Sequence, residues 1–294
     1  MRIISVPTKR GLVLRTVIYE AEKADTILIL MSGICSNIFN NQLLQTTGEV
    51  LSQNGISYIA GHAMDAFSVL HYSNTVTKTQ ELKGVTLDDF SVINEDIQAY
   101  IDYAESLGYK NIILGGHSLG SNRVIHYLSQ NPSSYVKYFI LSGPVDLAEM
   151  LKVMTKPEEF ELAKKLVNQN RGDEILPFLF GGFSPMSAKT MIDNWQDNKI
   201  YKNCPFLSHD GETESLSKIN IPGMILIGEK DTCAGDSPIE FAKQINNCTQ
   251  SASKNKIVIL DGAGHIFYSK HNEYAQTILE YIKEKMRINQ WQKI

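Results

Sequence analysis

The chain has little of what small stapled or metal-built folds depend on. Its four cysteines, Cys35, Cys204, Cys233 and Cys248, are widely spaced and form no CxxC pair. That spacing argues against a zinc ribbon or a disulfide framework. No paired histidine or carboxylate spacing suggests a metal, and no P-loop appears. Gly115-Gly116 followed by Gly120 lacks the full dinucleotide pattern, so no cofactor is expected. The longest apolar run, Ile27 to Met31, has five residues, far short of the roughly 20 that span a membrane. The N-terminus, MRIISVPTKRGLVLR, holds no apolar stretch of signal-peptide length. A cytoplasmic protein with free thiols is the expectation. An excess of positive charge is also missing. Lys plus Arg is 28 against 32 for Asp plus Glu, a net charge of −4, which argues against a nucleic-acid partner.

What is present is an ordinary globular composition, 43% hydrophobic and 20% charged over 294 residues. Short apolar runs recur between turn residues. They are Thr26–Met31, Ile56–Ala60, Asn111–Leu114, Tyr138–Leu141, Met224–Ile227 and Lys256–Leu260. Each is apolar on both faces, as in strands covered by helices on two sides. Arg2–Val6 and Leu12–Tyr19 alternate instead and predict an antiparallel entry hairpin. Helical periodicity fills the gaps. Between Asp88 and Leu107 the apolar stripe is Ile93, Ile97, Tyr100, Ile101, Ala104 and Leu107, with Gly108 as the stop. Leu119–Ser129 and Tyr274–Met286 are further helices. The alternation predicts a doubly wound, mostly parallel α/β sheet.

One gap is too long for a connection. From Ser142 to Ile221 there are 80 residues without a convincing central strand. DLAEMLKVM, EEFELAKKLVNQ and ILPFLFGGFSPMSAKTMIDNW read as helical. The expected organisation is a core of 1–144 and 219–294 with a helical cap inserted at 145–218.

The sharpest motif is Gly116-His117-Ser118-Leu119-Gly120. The three fixed positions alone are weak, but a strand runs in and a helix runs out, the setting in which this motif exposes a nucleophilic serine. A serine hydroxyl needs a base. His265, in Asp261-Gly262-Ala263-Gly264-His265 after the last strand, is the candidate among seven histidines. His117 lies inside the turn and reads as packing. The base needs an orienting acid. Asp231 stands beyond the end of the strand at 224–227, with Asp146 and Asp236 as competitors. The order Ser118, Asp231, His265 is that of one hydrolase class. Acyl transfer also needs oxyanion donors. The backbone N–H groups of Leu119 and of Ile34, in Ser32-Gly33-Ile34-Cys35, are the candidates, with Cys35 as the alternative to Ile34. Cys35 itself reads as a small hydrophobe rather than a nucleophile.

These residues resemble the α/β-hydrolase superfamily over nearly the whole chain, about 10 to 287. The resemblance implies an eight-stranded sheet and a Ser118–Asp231–His265 triad. Gly33–Asn37 with Gly61–Asp65 is similar to the capped esterase, lipase and peptidase branch. Ser32-Gly33 stands where many members have His-Gly. Phe183–Ala188 and Phe206–Asp210 are similar to cap segments of a branch containing siderophore-ester hydrolases. The expected activity is a serine esterase on a small-molecule ester, and the apolar cap favours one that is uncharged and medium-sized. Cys35, His117, Phe178, Phe180, Phe183, Met186 and Trp195 are candidate pocket residues. For the cap aromatics and methionine, a role in the cap's own core is an equal alternative. Thioesterase, amidase or acyltransferase chemistry would use the same machinery. A non-catalytic binding protein would show a missing triad member.

Overall fold

The computed structural model describes residues 1–132 and 135–291. The final residues of the expected core segment, 292–294, lie outside the described residues. Strands β1 (Arg2–Pro7), β2 (Val13–Tyr19), β3 (Thr26–Met31) and β4 (Ser57–Gly61) come first. A small hairpin follows, β5 (Leu70–Ser73) with β6 (Gln80–Lys83). Then come β7 (Asn111–His117), β8 (Val136–Ser142), β9 (Gly223–Gly228) and β10 (Lys256–Leu260). Eight of them form one sheet in the order β1-β2-β4-β3-β7-β8-β9-β10. β2 pairs antiparallel with β1 and β4, and every pair from β4 to β10 is parallel. This is the α/β-hydrolase sheet.

The alternation of side chains along each strand feeds two cores. In β3, Ile27, Ile29 and Met31 face one layer, while Leu28 and Leu30 face the other. All six β3 residues are buried, which is why TILILM carries no polar face. The first layer is covered by α2 (Ile93–Ser106), α3 (Leu119–Gln130) and α8 (Pro238–Cys248). The second is covered by α1 (Gln42–Gln53) and α9 (His271–Trp291). Among the described residues no helix is long and apolar enough to cross a membrane.

Between β8 and β9 the chain adds no strand to the sheet. It forms α4 (Leu147–Met154), α5 (Pro157–Asn168), a short α6 (Ala188–Thr190) running into a π-turn at Met191–Gln196, and α7 (Glu214–Ser217). The first two expected helices of this segment are present. The third is corrected: from Ile175 to Ser187 the chain is irregular, with isolated bridges Ile175–Ser187 and Phe180–Ser184. Gly181 and Gly182 both take positive φ there, which ends any helix.

A buried ion pair ties the two sides of β3 together. Arg123 on α3 meets Asp65 after β4 at 2.5 Å and donates to the Ser32 carbonyl at 3.0 Å. Both side chains are almost wholly removed from solvent. The pair thus holds the loop after β3 from below.

Candidate active site

β7 ends at His117, α3 begins at Leu119, and Ser118 makes the turn alone with φ +56° and ψ −130°. A positive φ costs a non-glycine residue and persists only where neighbours enforce it. Here they do. Ser118 donates its N–H to the Ser142 carbonyl at 2.9 Å. A Cβ on Gly116 would strike the Gly120 backbone, and one on Gly120 would strike the Met31 carbonyl. The two glycines therefore let strand, turn and helix close on each other.

The turn holds Ser118 Oγ 2.9 Å from His265 Nε2. On the far side of the ring, Nδ1 lies 3.0 Å from both Asp231 carboxylate oxygens. The Asp231 side chain is fully buried and that of His265 is 20% exposed. Each residue stands just beyond a strand's carboxyl end, where ligands meet an open α/β sheet. Backbone bonds knit the neighbouring strand ends together: Ser118 N–H to Ser142 links the turn after β7 to the end of β8, Gly143 N–H to Leu226 links the turn after β8 to β9, and Lys230 N–H to Ala263 links the turns after β9 and β10. The sequence separates these residues by up to 147 positions, and the sheet brings them together.

Burial pulls the His265 imidazole down, but the hydrogen bonds with Asp231 and then Cys233 outweigh it and hold it up at about 10. The charged imidazole is thus favoured in the resting site, and the neutral ring, the form able to accept a proton, grows in only as pH climbs towards 10. His117 behaves oppositely. Burial, then the neighbouring His265, lower it to about 4. Neutral His117 donates through Nε2 to the His265 carbonyl at 2.9 Å, and its ring lies 5.5 Å from the His265 ring. It buttresses the base and also lines the pocket.

Asp146, the competing acid, is occupied elsewhere. It caps α4 through Glu149 N–H and accepts from the N–H groups of Leu207 (2.9 Å) and Ser208 (2.7 Å). Asp236 is exposed on its loop.

Gly33 packs on Ser118: a Cβ there would lie 3.0 Å from that of the serine. Ile34 follows and lines the pocket. The Leu119 N–H opens α3, where a helix leaves its first donors free and its dipole favours negative charge. The cavity above Ser118 has a volume of about 500 Å³. Its walls are mainly apolar: Ile34, Met150, Val153, Met154, Phe183, Leu207 and Ile266, with Glu149 as the one carboxylate.

Of the expected pocket residues, His117 and Phe183 reach this cavity. Phe180, Met186 and Trp195 do not, and are fully buried. Phe180 packs on Trp195 at 4.7 Å, and Trp195 on Phe90 at 5.1 Å, so these residues pack the insertion onto the main core instead of facing the cavity. Phe178 is half-buried against that core rather than on the cavity wall. Cys35 also stays out of the wall. Its thiol points to Ser184 Oγ at 3.6 Å, and burial pushes it up to about 11. It is a neutral thiol, not a nucleophile. Missed were Met150, Val153 and Met154 on α4, and Thr232, Cys233 and Ile266 beside the acid and base. The α4 signal was legible. DLAEMLKVM is apolar on two stripes, of which Leu147, Ala148 and Leu151 face the core. The second stripe needed another use.

A family model described as "Protein of unknown function (DUF1749)" matches residues 88–287. The bifunctional esterase/perhydrolase DCH of Acinetobacter calcoaceticus is 28% identical over 171 residues, 52% of this chain and 59% of that protein. The chain thus spans about three-fifths of the length of that curated relative. Est1E from Butyrivibrio proteoclasticus superposes with a TM-score of 0.64 at 14% identity, covering 98% of this chain and all of Est1E. An esterase from Exiguobacterium antarcticum gives a TM-score of 0.57 at 18% identity, covering 95% and 98%. At such identities these structures speak for the α/β-hydrolase fold.

Proposed function

We propose that this chain, which belongs to the family described as a protein of unknown function, DUF1749, is a serine hydrolase of carboxylic esters. The observation that carries the reading is the line of contacts from Asp231 through both His265 nitrogens to Ser118, at 3.0 and 2.9 Å, on the floor of an open apolar cavity. His265 Nε2 takes the Ser118 proton as Oγ attacks the acyl carbon. Asp231 receives the Nδ1–H and stabilises the imidazolium. The N–H groups of Ile34 and Leu119 hold the developing oxyanion. His265 then returns its proton to the leaving alcohol and activates water for deacylation. His117 keeps the base in register through its bond to the His265 carbonyl.

The wall composition supports an uncharged substrate with a medium-sized aliphatic or aryl group, because polar ester ends would lose hydration among Met150, Val153 and Phe183. The named esterase relatives support the same class. Segment 145–218 then acts as a helical cap over a core of 1–144 and 219–294, supplying one wall of the cavity through α4 and Phe183. All four cysteines are free, the state a reducing cytoplasm maintains.

The test is labelling by a fluorophosphonate probe, wild type beside Ser118→Ala, followed by nitrophenyl esters of rising acyl length. Labelling that vanishes in the variant, with turnover of short to medium esters, is the expected result. Labelling that survives in Ser118→Ala moves the nucleophile elsewhere. A well-folded wild type that is neither labelled nor active returns the chain to the binding-protein reading. Thioester, amide and acyl-acceptor substrates in the same panel separate the related chemistries.

A further inference from the structure

Cys233 has no part in the hydrolysis above, yet it stands beside the acid and the base. The turn after β9 puts it there. Asp231 caps the short 3-10 turn Thr232–Ala234, its Oδ1 accepting the Cys233 N–H at 2.9 Å. Cys233 therefore lines the same cavity as His265. The ligating atoms of Asp231, Cys233 and His265 all lie within 4.8 Å of one another. Sequence spacing hid this group, since His265 is 32 positions beyond Cys233.

We propose that these three residues form an inhibitory zinc site. A thiolate sulfur, an imidazole nitrogen and a carboxylate oxygen make the mixed donor set that zinc favours over magnesium or calcium. With Zn–S near 2.3 Å and Zn–N and Zn–O near 2.0 Å, a tetrahedral site needs donor separations of about 3.3 to 3.6 Å. His265 Nδ1 and the Asp231 oxygens are already 3.0 Å apart. With all donor atoms within 4.8 Å, the sulfur needs to close by about 1.2 Å at most to reach that range, a change within reach of one χ1 rotation. The fourth position opens to the cavity and takes water.

Zinc at this place stops catalysis without touching Ser118. It binds the Cys233 thiolate, the thiol proton leaving to solvent. It takes the Nδ1 lone pair, so the Nδ1 proton leaves as well. The imidazole then carries its single proton on Nε2, facing Ser118 Oγ. A nitrogen that already holds that proton cannot accept the serine proton. Starting from the neutral Nδ1–H ring, one proton is released net, because Nε2 gains the one that Nδ1 loses. From the imidazolium, two are released.

The inhibition rests on the hydrolase reading, but binding does not, and the experiment separates them. Zinc is titrated into Ser118→Ala in competition with a chromophoric zinc chelator. One ion per chain is expected, with Cys233→Ser in the same background weakening it by at least about tenfold, the loss that even supporting partners of a metal site cause. In parallel, wild-type ester turnover should fall with zinc, recover with EDTA and ignore magnesium. The half-inhibiting zinc concentration of Cys233→Ser, taken against its own zinc-free rate, should rise by a similar factor. No zinc bound by Ser118→Ala at micromolar concentration overturns the proposal. So does equal zinc affinity with and without Cys233. Zinc binding in a protein with no esterase activity would keep the site and remove the hydrolase.

Discussion

The floor of the cavity and its roof are built on different rules. The floor, from Gly116 to Gly120 with the loops after β8, β9 and β10, has a backbone partner for each loop that carries a functional side chain. The roof presents apolar side chains that are partly in water: Val153 is 83% exposed and Phe183 50%. A floor over-determined in this way can hold a strained serine to a fixed geometry. The roof is tied down away from the cavity, where the Thr86 carbonyl accepts the Ser187 N–H and Asp146 accepts those of Leu207 and Ser208, but the side chains it turns to the cavity make loose apolar contact suited to sorting ligands by size and hydration. On the proposed function, chemistry belongs to the first region and selectivity to the second.

The comparison breaks if the floor tolerates change or the roof does not. The largest expected effect is at the acid. Asp231→Asn keeps the shape but holds the wrong imidazole tautomer, and kcat should fall about 10⁴-fold with the fold intact by circular dichroism. Next comes the support below the floor. Asp65→Ala takes the ion-pair partner from the buried Arg123 guanidinium and leaves it the Ser32 carbonyl and the more distant Asp88 carboxyl group, a loss of about 3 kcal/mol in urea unfolding. Replacing both by leucine and methionine should cost less than the single change.

The third effect concerns pH. His265 must be neutral to act as a base, and its partners hold it above its ordinary value, up to about 10. The rate, kcat/KM, should therefore climb through the alkaline range rather than level off near pH 6.5. Stability runs the other way. A raised folded value means stabilisation complete below the unfolded pKa and lost as pH rises towards 10. Thermal melts of wild type and Asp231→Asn across this window should converge at the alkaline end. The smallest effect belongs to the roof. Val153→Ala or Phe183→Ala should shift KM a few-fold for long acyl esters, under about 1 kcal/mol, and leave kcat for acetate esters unchanged.

The same contrast separates what was legible in the sequence from what was not. Strands β3 and β10 were read to the residue, because TILILM and KIVIL are bounded by turn residues and apolar on both faces. The placement of Ser118, Asp231 and His265 beyond strand ends is legible because each follows such a strand within a few positions. The apolar run Asn111–Leu114 falls short of β7, because Gly116 and His117 belong to the turn motif in sequence yet continue the strand. α1 was passed over because Thr46, Thr47 and Gly48 interrupt its stripe, although Gly48 is needed where Tyr19 packs against the helix. In the roof, Phe180 and Trp195 were read as equally suited to a pocket or a core, and composition cannot rank two apolar destinations. That choice depends on how Gly181 and Gly182 turn the chain, which periodicity does not encode.

Ser118 sits in a backbone conformation that glycine would adopt freely and serine does not. On the proposed mechanism, the molecule is held below its attainable stability at the position where turnover needs a hydroxyl. Mutation and selection act in opposition there. In a lineage where the ester no longer matters, nothing would oppose a drift to glycine, and the sheet would be firmer for it. A homologue with glycine at this position would mark a lineage that had exchanged catalysis for durability.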